Sequence, residues 1–396
     1  MQYGRRQFIR ATLVASLGAT FALTACQPEQ RPGSVQVIGT PKSGSVSASV
    51  SGVHEADPAA AAKAAASNPS QPTKGDGIYT PVSNVDIYQL ISLDVAEITK
   101  LTNAVNEGKP LPVQEILAVY EQGKLAKIGE NTRVLRRFAT DPRRAQEFPE
   151  EVAFFKSNTF LDDPVIAAIQ GTGEAERYSP AQRRQAIQKG ILRIVRYWSV
   201  QELLAAEPKL RDGNVDPATG APHNVDEAWA IYVGVEQEGK YPYSLAATAQ
   251  SREANFERPN TIDKPLREAF ARAQKAALGN DMAGFTQAKA DVLSRLNALF
   301  YLSAARYLNE SVKHAQAGDA ERAGIAQSEG FAYYQTIQPI VAKADPEADR
   351  AVVAFYRNDP SKLTIAERDR ALSALNKATS ALGLKESDHV APTDFK

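Results

Sequence analysis

The sequence is poor in the residues that usually announce chemistry. It has one cysteine, four histidines, two methionines and two tryptophans in 396 residues. A lone thiol, Cys26, rules out a disulfide framework, so stability has to come from packing. No Gly-x-Ser-x-Gly elbow, Walker-type loop or His-Glu-x-x-His pair occurs, and no Ser/His/Asp set stands out. Gly171-Thr172-Gly173 is a lone Gly-x-Gly with no strand before it and reads as a loop. Charge of one sign is missing too: 46 basic residues balance 46 acidic ones, and no basic stripe interleaves with aromatics, which excludes nucleic acid as a partner. These absences point away from an enzyme.

What is present begins at the N-terminus, MQYGRRQFIRATLVASLGATFALTACQPEQ. Arg5-Arg6 before Gln7, Phe8 and Ile9 has the form of a twin-arginine n-region. The apolar stretch from Ala11 to Ala22 suits a signal h-region and falls short of the roughly 20 residues of a spanning helix. Leu23-Thr24-Ala25-Cys26 is a lipobox, in which the thiol takes a diacylglyceryl group before cleavage. The expectation is an exported lipoprotein: a signal peptide over 1–25, then Cys26 as lipidated anchor on the periplasmic or cell-surface side. Removing Arg5, Arg6 and Arg10 with the signal leaves 43 basic against 46 acidic residues.

Residues 26–78 are rich in Gly, Ser, Pro and Ala and carry few large apolar side chains, so they read as a flexible tether. His54 lies in it and reads as solvated. From residue 79 to 386 the pattern turns helical. Ser179-Pro180-Ala181-Gln182 is a capping box with proline at the first helical position, opening a helix to about Ala206. Leu363-Thr364-Ile365-Ala366-Glu367 holds another, opening the last helix. Further helices are expected over 85–106, 112–123, 146–156, 264–277, 283–316, 319–341 and 346–357, and no run reads as a strand. The fold class is therefore all-α, a helical bundle-like domain, with 387–396 as a frayed tail in which His389 has no task. Glu227-Ala228-Trp229-Ala230-Ile231-Tyr232 and Glu329-Gly330-Phe331-Ala332-Tyr333-Tyr334 match in order at an offset of 102. Ile191-Leu192 and Val292-Leu293 match at 101, which raises the possibility of two packed halves from a duplication.

The most unusual segment is GNVDPATGAPHNVDEAWAIYVG, a polar loop entering a helix dense in acids and aromatics. His223 and Glu227, four apart, share a helix face if the helix includes His223. The alternative is local: Asn224 as N-cap with Glu227 three residues on makes a capping box that leaves His223 outside. Glu310 and His314 form a second i,i+4 pair. Glu202 and Glu329 stand among apolar neighbours, where an acid needs a partner, and Arg252 beside Glu253 could supply one.

Three stretches, YTPVSNVDIYQLISLDVAEI from Tyr79, HNVDEAWAIYVG from His223 and SLAATAQSREANF from Ser244, resemble the Fe-assimilation family of low-iron-inducible periplasmic proteins. The resemblance implies a helix-rich, secreted protein that helps iron uptake, with an iron transporter as its partner. Ferric iron is a hard cation suited to carboxylate, phenolate and imidazole. The expected ligands are His223 and Glu227, completed from Glu202, Asp226, Tyr232 and Glu329, with Arg252 and Glu253 supporting them. The competing expectation is a helical envelope scaffold or binding module that holds no metal.

Overall fold

The computed structural model describes residues 71–395. Cys26, the signal and the tether up to residue 70 lie outside the described residues, as does His54. The described part is all-α. Its first half uses short helices: α1 (Asp86–Gln89), α2 (Ile91–Asn103), α3 (Val113–Gln122), α4 (Leu135–Thr140), α5 (Arg144–Glu147), α6 (Pro149–Phe155) and α7 (Asp163–Gln170). A two-residue hairpin pairs Lys127 with Thr132 and Ile128 with Asn131, a small exception to the strand-free expectation. Helices α4 and α7 span too few turns for their periodicity to show in sequence.

The long elements follow. Helix α8 (Pro180–Arg211) starts at the expected capping box, with the Ser179 hydroxyl accepting from Gln182 N and the Gln182 side chain from Ser179 N. It runs past the expected end, through Pro208, because Leu210 is drawn into the core. Helix α9 (Ala221–Val233) forms a hairpin with it; then come α10 (Leu245–Asn255), α11 (Asp263–Leu278), α12 (Met282–Gln316), α13 (Ala320–Ala344) and α14 (Pro346–Tyr356). The last, α15 (Ile365–Lys377), carries the expected Thr364–Glu367 capping box. Helix α8 is the spine, packed against α9, α13, α7 and α2, while α12 packs against α13 and α11. At Gly330 an added Cβ would stand 2.4 Å from Tyr356 and 2.6 Å from Tyr307, so only glycine lets α13 lie this close to both neighbours.

Three expectations need correction. Residues 71–78, assigned to the tether, are tied to the domain: Thr73 Oγ1 donates to Asp86 at 2.5 Å, and Asp76 accepts from Trp229 Nε1 and Arg267 Nη1, both at 2.9 Å. The C-terminal tail is docked, not frayed: Val390 is fully buried and its N–H donates to Tyr301 Oη. His389 Nε2 lies 2.6 Å from Thr379 Oγ1, and its carbonyl accepts from Arg258. The two proposed halves do not sit in equivalent surroundings. Glu227 and Glu329 each lie on the second arm of a hairpin, α8–α9 and α12–α13, and Arg196 donates to Asn297, its counterpart at an offset of 101. Yet α13 packs on α8 of the other hairpin, whereas α9 packs mainly on α8 and α11.

Candidate functional site

The helix α9 starts earlier than a cap at Asn224 would allow. The 212–220 loop folds back so that Ala221 N donates to Asn214 O at 2.9 Å and Gly220 N to Asp216 O at 2.8 Å. Gly220 becomes the N-cap, Pro222 enters the first turn, and His223 is inside the helix. The capping-box alternative is thereby overturned. His223 Nε2 meets Glu227 Oε1 at 3.1 Å across one helical turn.

Glu202 comes to the same place from the facing helix α8. Trp198 Nε1, one turn before it, donates to Glu202 Oε1 at 3.2 Å. Asn224 Nδ2 bridges the two acids, 2.8 Å from Glu202 Oε2 and 3.1 Å from Glu227 Oε2. That one amide thus holds the two carboxyl groups side by side. Burial, then the charge of Glu227, pushes the Glu202 carboxyl well above the ordinary range. Burial works the same way on Glu227, but the contact with His223 leads the influences that outweigh it and hold Glu227 low. Glu202 is therefore the proton donor of the pair and Glu227 the carboxylate.

Tyr88 closes the site. Burial, followed by the charges of Glu227 and Glu202, drives the pKa of its phenol up. The ring meets Trp198 edge-on, Phe138 stacks on the other side of Trp198 at 4.7 Å, and Arg133 lies 4.3 Å over Tyr88. The result is a carboxyl–carboxylate–imidazole–phenol cluster inside an aromatic wall.

Asp226 orients this cluster without joining it. Its oxygens accept from Tyr79 Oη at 2.5 Å, Val82 N at 2.9 Å, Ser83 N at 2.8 Å, Ser83 Oγ at 2.6 Å and Gln274 Nε2 at 2.6 Å. Five donors leave it no room for a cation, and burial raises its pKa in spite of them. The one hydroxyl proton of Ser83 goes to Asp226, so His223 Nδ1, 2.8 Å from Ser83 Oγ, has to be the donor in that contact. That relay fixes the imidazole with Nε2 toward Glu227.

The remaining expected residues lie elsewhere. Tyr232 donates to Asp263 at 2.8 Å beside Arg267. Glu329 pairs with Lys189 Nζ at 3.0 Å and accepts from Tyr307 Oη at 2.5 Å. Arg252 serves that second cluster, its guanidinium 5.7 Å from both the Tyr307 and Tyr333 rings. Glu253 caps α11, accepting from Ile262 N and Asp263 N. Glu310 faces Arg306 at 4.0 Å rather than His314. Sequence reasoning missed Ser83, Tyr88 and Trp198. Only Trp198 left a signal, its four-residue spacing from Glu202 on one helix face.

Among the described residues, no three His, Cys, Asp or Glu side chains stand ready-placed around a metal position, and no helix is long and apolar enough to cross a membrane. No curated protein and no solved structure matches the chain. A family does: its sequence model matches residues 51–331, well over half of the chain. With that match added to the all-α fold, the chain belongs to the low iron-inducible periplasmic protein family.

Proposed function

We propose that this protein binds iron outside the cytoplasm and assists its uptake, anchored to a membrane through lipidated Cys26 and passing the ion to a transporter without catalysing a reaction. The family supports an extracytoplasmic place and a link to iron limitation. The observation that carries the reading is the contact between two buried acids. Asn224 holds the Glu202 and Glu227 carboxyl groups to one point, 2.8 Å and 3.1 Å from its Nδ2, where a cation could stand, and His223 Nε2 faces Glu227 at 3.1 Å. Oxygen-rich ligands with one imidazole suit a hard ferric ion, and Tyr88 adds a phenol. Asp226, through Ser83, keeps the imidazole aimed.

Iron titrated into the purified mature protein should raise its melting temperature, by the equivalent of about 2.7 kcal/mol at one hundred times the dissociation constant. The double variant His223→Ala, Glu227→Ala should keep its helix content and lose that rise. An undiminished rise in the double variant would place the ion elsewhere. Cys26→Ser should move the protein from the membrane to the soluble fraction; full retention would refute the lipid anchor.

The second reading, a helical envelope binding module without metal, has one observation on its side: the lack of a ready-made three-residue metal cluster among the described residues. It predicts no melting shift with iron in the unmodified protein.

A further inference from the structure

Asn224 stands between the two acids of the cluster, and its fit there is incomplete at one end. It lies inside α9, one turn from Glu227 and 4% exposed. Asparagine is a poor choice for a buried helix interior, because its carbonyl oxygen is suited to capping free N–H groups at a helix start. A capping Asn224 would take the N–H of Asp226 or Glu227. Once α9 starts at Gly220, those groups belong to the helix ladder. The amide nitrogen is fully used, 2.8 Å from Glu202 Oε2 and 3.1 Å from Glu227 Oε2. The amide oxygen, Oδ1, is buried and accepts from no donor among the described residues.

A bare oxygen is costly to bury, and beside two carboxyl groups its natural complement is a cation. The spacing agrees. Oxygen ligands stand about 2.0–2.2 Å from small cations, so neighbouring corners of an octahedron lie about 2.8–3.1 Å apart. The amide end that faces the acids already keeps that spacing from one oxygen of each. The two ends of a side-chain amide are nearly the same size, so a half-turn about Cβ–Cγ exchanges them and asks for no room beyond two hydrogens. That torsion is broad in asparagine. In the empty site, an oxygen turned toward the Glu227 carboxylate is repelled, and the nitrogen faces the acids. With an ion between the acids the preference reverses, because the ion repels the N–H groups and attracts the oxygen.

We infer that Asn224 is an ion ligand held in reserve: its amide turns when iron enters, withdrawing Nδ2 from Glu202 and Glu227 and presenting Oδ1 to the ion. The inference rests on the iron-binding reading of this cluster and adds a neutral oxygen to its ligands. His223, Asn224 and Glu227 then offer three donors from the first turns of α9, facing Glu202 on α8. Aspartate here would supply the oxygen but crowd a third carboxyl group into the empty site. Alanine would leave the two acids unbridged. Asparagine serves both states, as a donor to the acids without the ion and as an acceptor toward the ion with it.

The test uses the mature protein, isotope-labelled for magnetic resonance and titrated with gallium(III), a diamagnetic probe with the charge of ferric iron. The Asn224 side-chain signals are identified by their loss in Asn224→Ala. On saturation the two Nδ2 protons should move upfield as their hydrogen bonds to the acids end, and Cγ should move downfield as Oδ1 binds the ion. The iron affinity of Asn224→Ala should fall at least about tenfold, since even groups that only hydrogen-bond a metal's ligands are worth that much. An amide that merely bridges the acids behaves otherwise: its protons stay hydrogen-bonded, and its removal leaves iron affinity unchanged or raised. Either of those results overturns the inference while the iron reading stands. Should Asn224→Ala fail to fold, Asn224→Asp identifies the signals and the direction of their shifts decides. An unmodified protein whose melting temperature ignores iron and gallium alike overturns the iron reading and this inference with it.

Discussion

Helix α8 carries two buried charge clusters, and they differ in one respect that decides what each can do. Toward its N-terminal end Lys189 meets Glu329, with Tyr307 and Arg252 around them. There the acid is answered by cations, and in spite of burial its pKa is held low, chiefly by the charge of Lys189. Thirteen residues on, Glu202 meets another acid, Glu227, and keeps its proton. An acid with a fixed cation is a finished contact that has no use for an incoming ion. An acid against an acid is a contact that a cation improves. Sequence could not separate the two, since Glu202 and Glu329 both stand among apolar neighbours.

The comparison breaks most easily at the finished contact. Glu329→Gln removes the charge that Lys189 depends on and should cost roughly 3–5 kcal/mol, read as a lowered urea midpoint at neutral pH. The double variant Lys189→Met, Glu329→Leu should recover most of the loss, because neither charge is then stranded. A Glu329→Gln protein as stable as the unmodified one would mean the pair does not hold α13 to α8.

Asp94 sharpens the comparison as an acid with neither cation nor acid bonded to it. It sits on α2 and accepts the backbone N–H groups of Lys124, Leu125 and Ala126. Burial outweighs those bonds and lifts its pKa to about 6 from 3.8. A raised carboxyl pKa means the folded state holds the proton more tightly than the unfolded chain. Its contribution is thus complete below the unfolded pKa and disappears as pH rises through about 6. Relative to Asp94→Asn, the unmodified protein should lose about 2.4 kcal/mol between pH 4 and pH 7. Parallel stability–pH curves for the two proteins would show that folding leaves the Asp94 carboxyl unshifted.

How far the sequence predicts these environments depends on the distance between partners. The capping boxes at Ser179 and Thr364 are local, and both form. His223 and Glu227 are one turn apart, so their pairing needs only the helix to start early enough. That start is set by the fold-back of residues 212–220 onto Asn214 and Asp216, which no capping rule contains. Asp226, the neighbour of Glu227 in sequence, points to a different face and binds a strap around Tyr79 and Ser83, more than 140 residues upstream. The same strap brings Ser83 to His223, and α1 carries the Tyr88 that closes the cluster. Contacts of that range leave no periodic trace, so the helices, the His223–Glu227 pair and Glu202 as an acid in need of a partner were legible, while Ser83 and Tyr88 were not. Residues 71–78 misled for a related reason: Gly, Pro and Lys there look like linker, and only Asp76 reaching Trp229 and Arg267 shows otherwise.

The smallest expected effect is the most discriminating. Glu202 is the protonated member of its pair, so Glu202→Gln exchanges one neutral side chain for another of the same shape. The amide can donate to Glu227 as the carboxyl does, and its carbonyl can keep one of the two hydrogen bonds from Trp198 and Asn224. One donor loses an acceptor, and the metal-free protein should change in stability by less than about 1 kcal/mol. Iron should respond quite differently, because the amide cannot ionise to meet the cation, and affinity should fall at least about tenfold, the equivalent of roughly 1.4 kcal/mol. Urea unfolding with and without iron measures both quantities on the same protein. If Glu202→Gln destabilised the metal-free protein as much as Glu329→Gln does and left iron affinity intact, both acids would be structural and the contrast between the two ends of α8 would be lost.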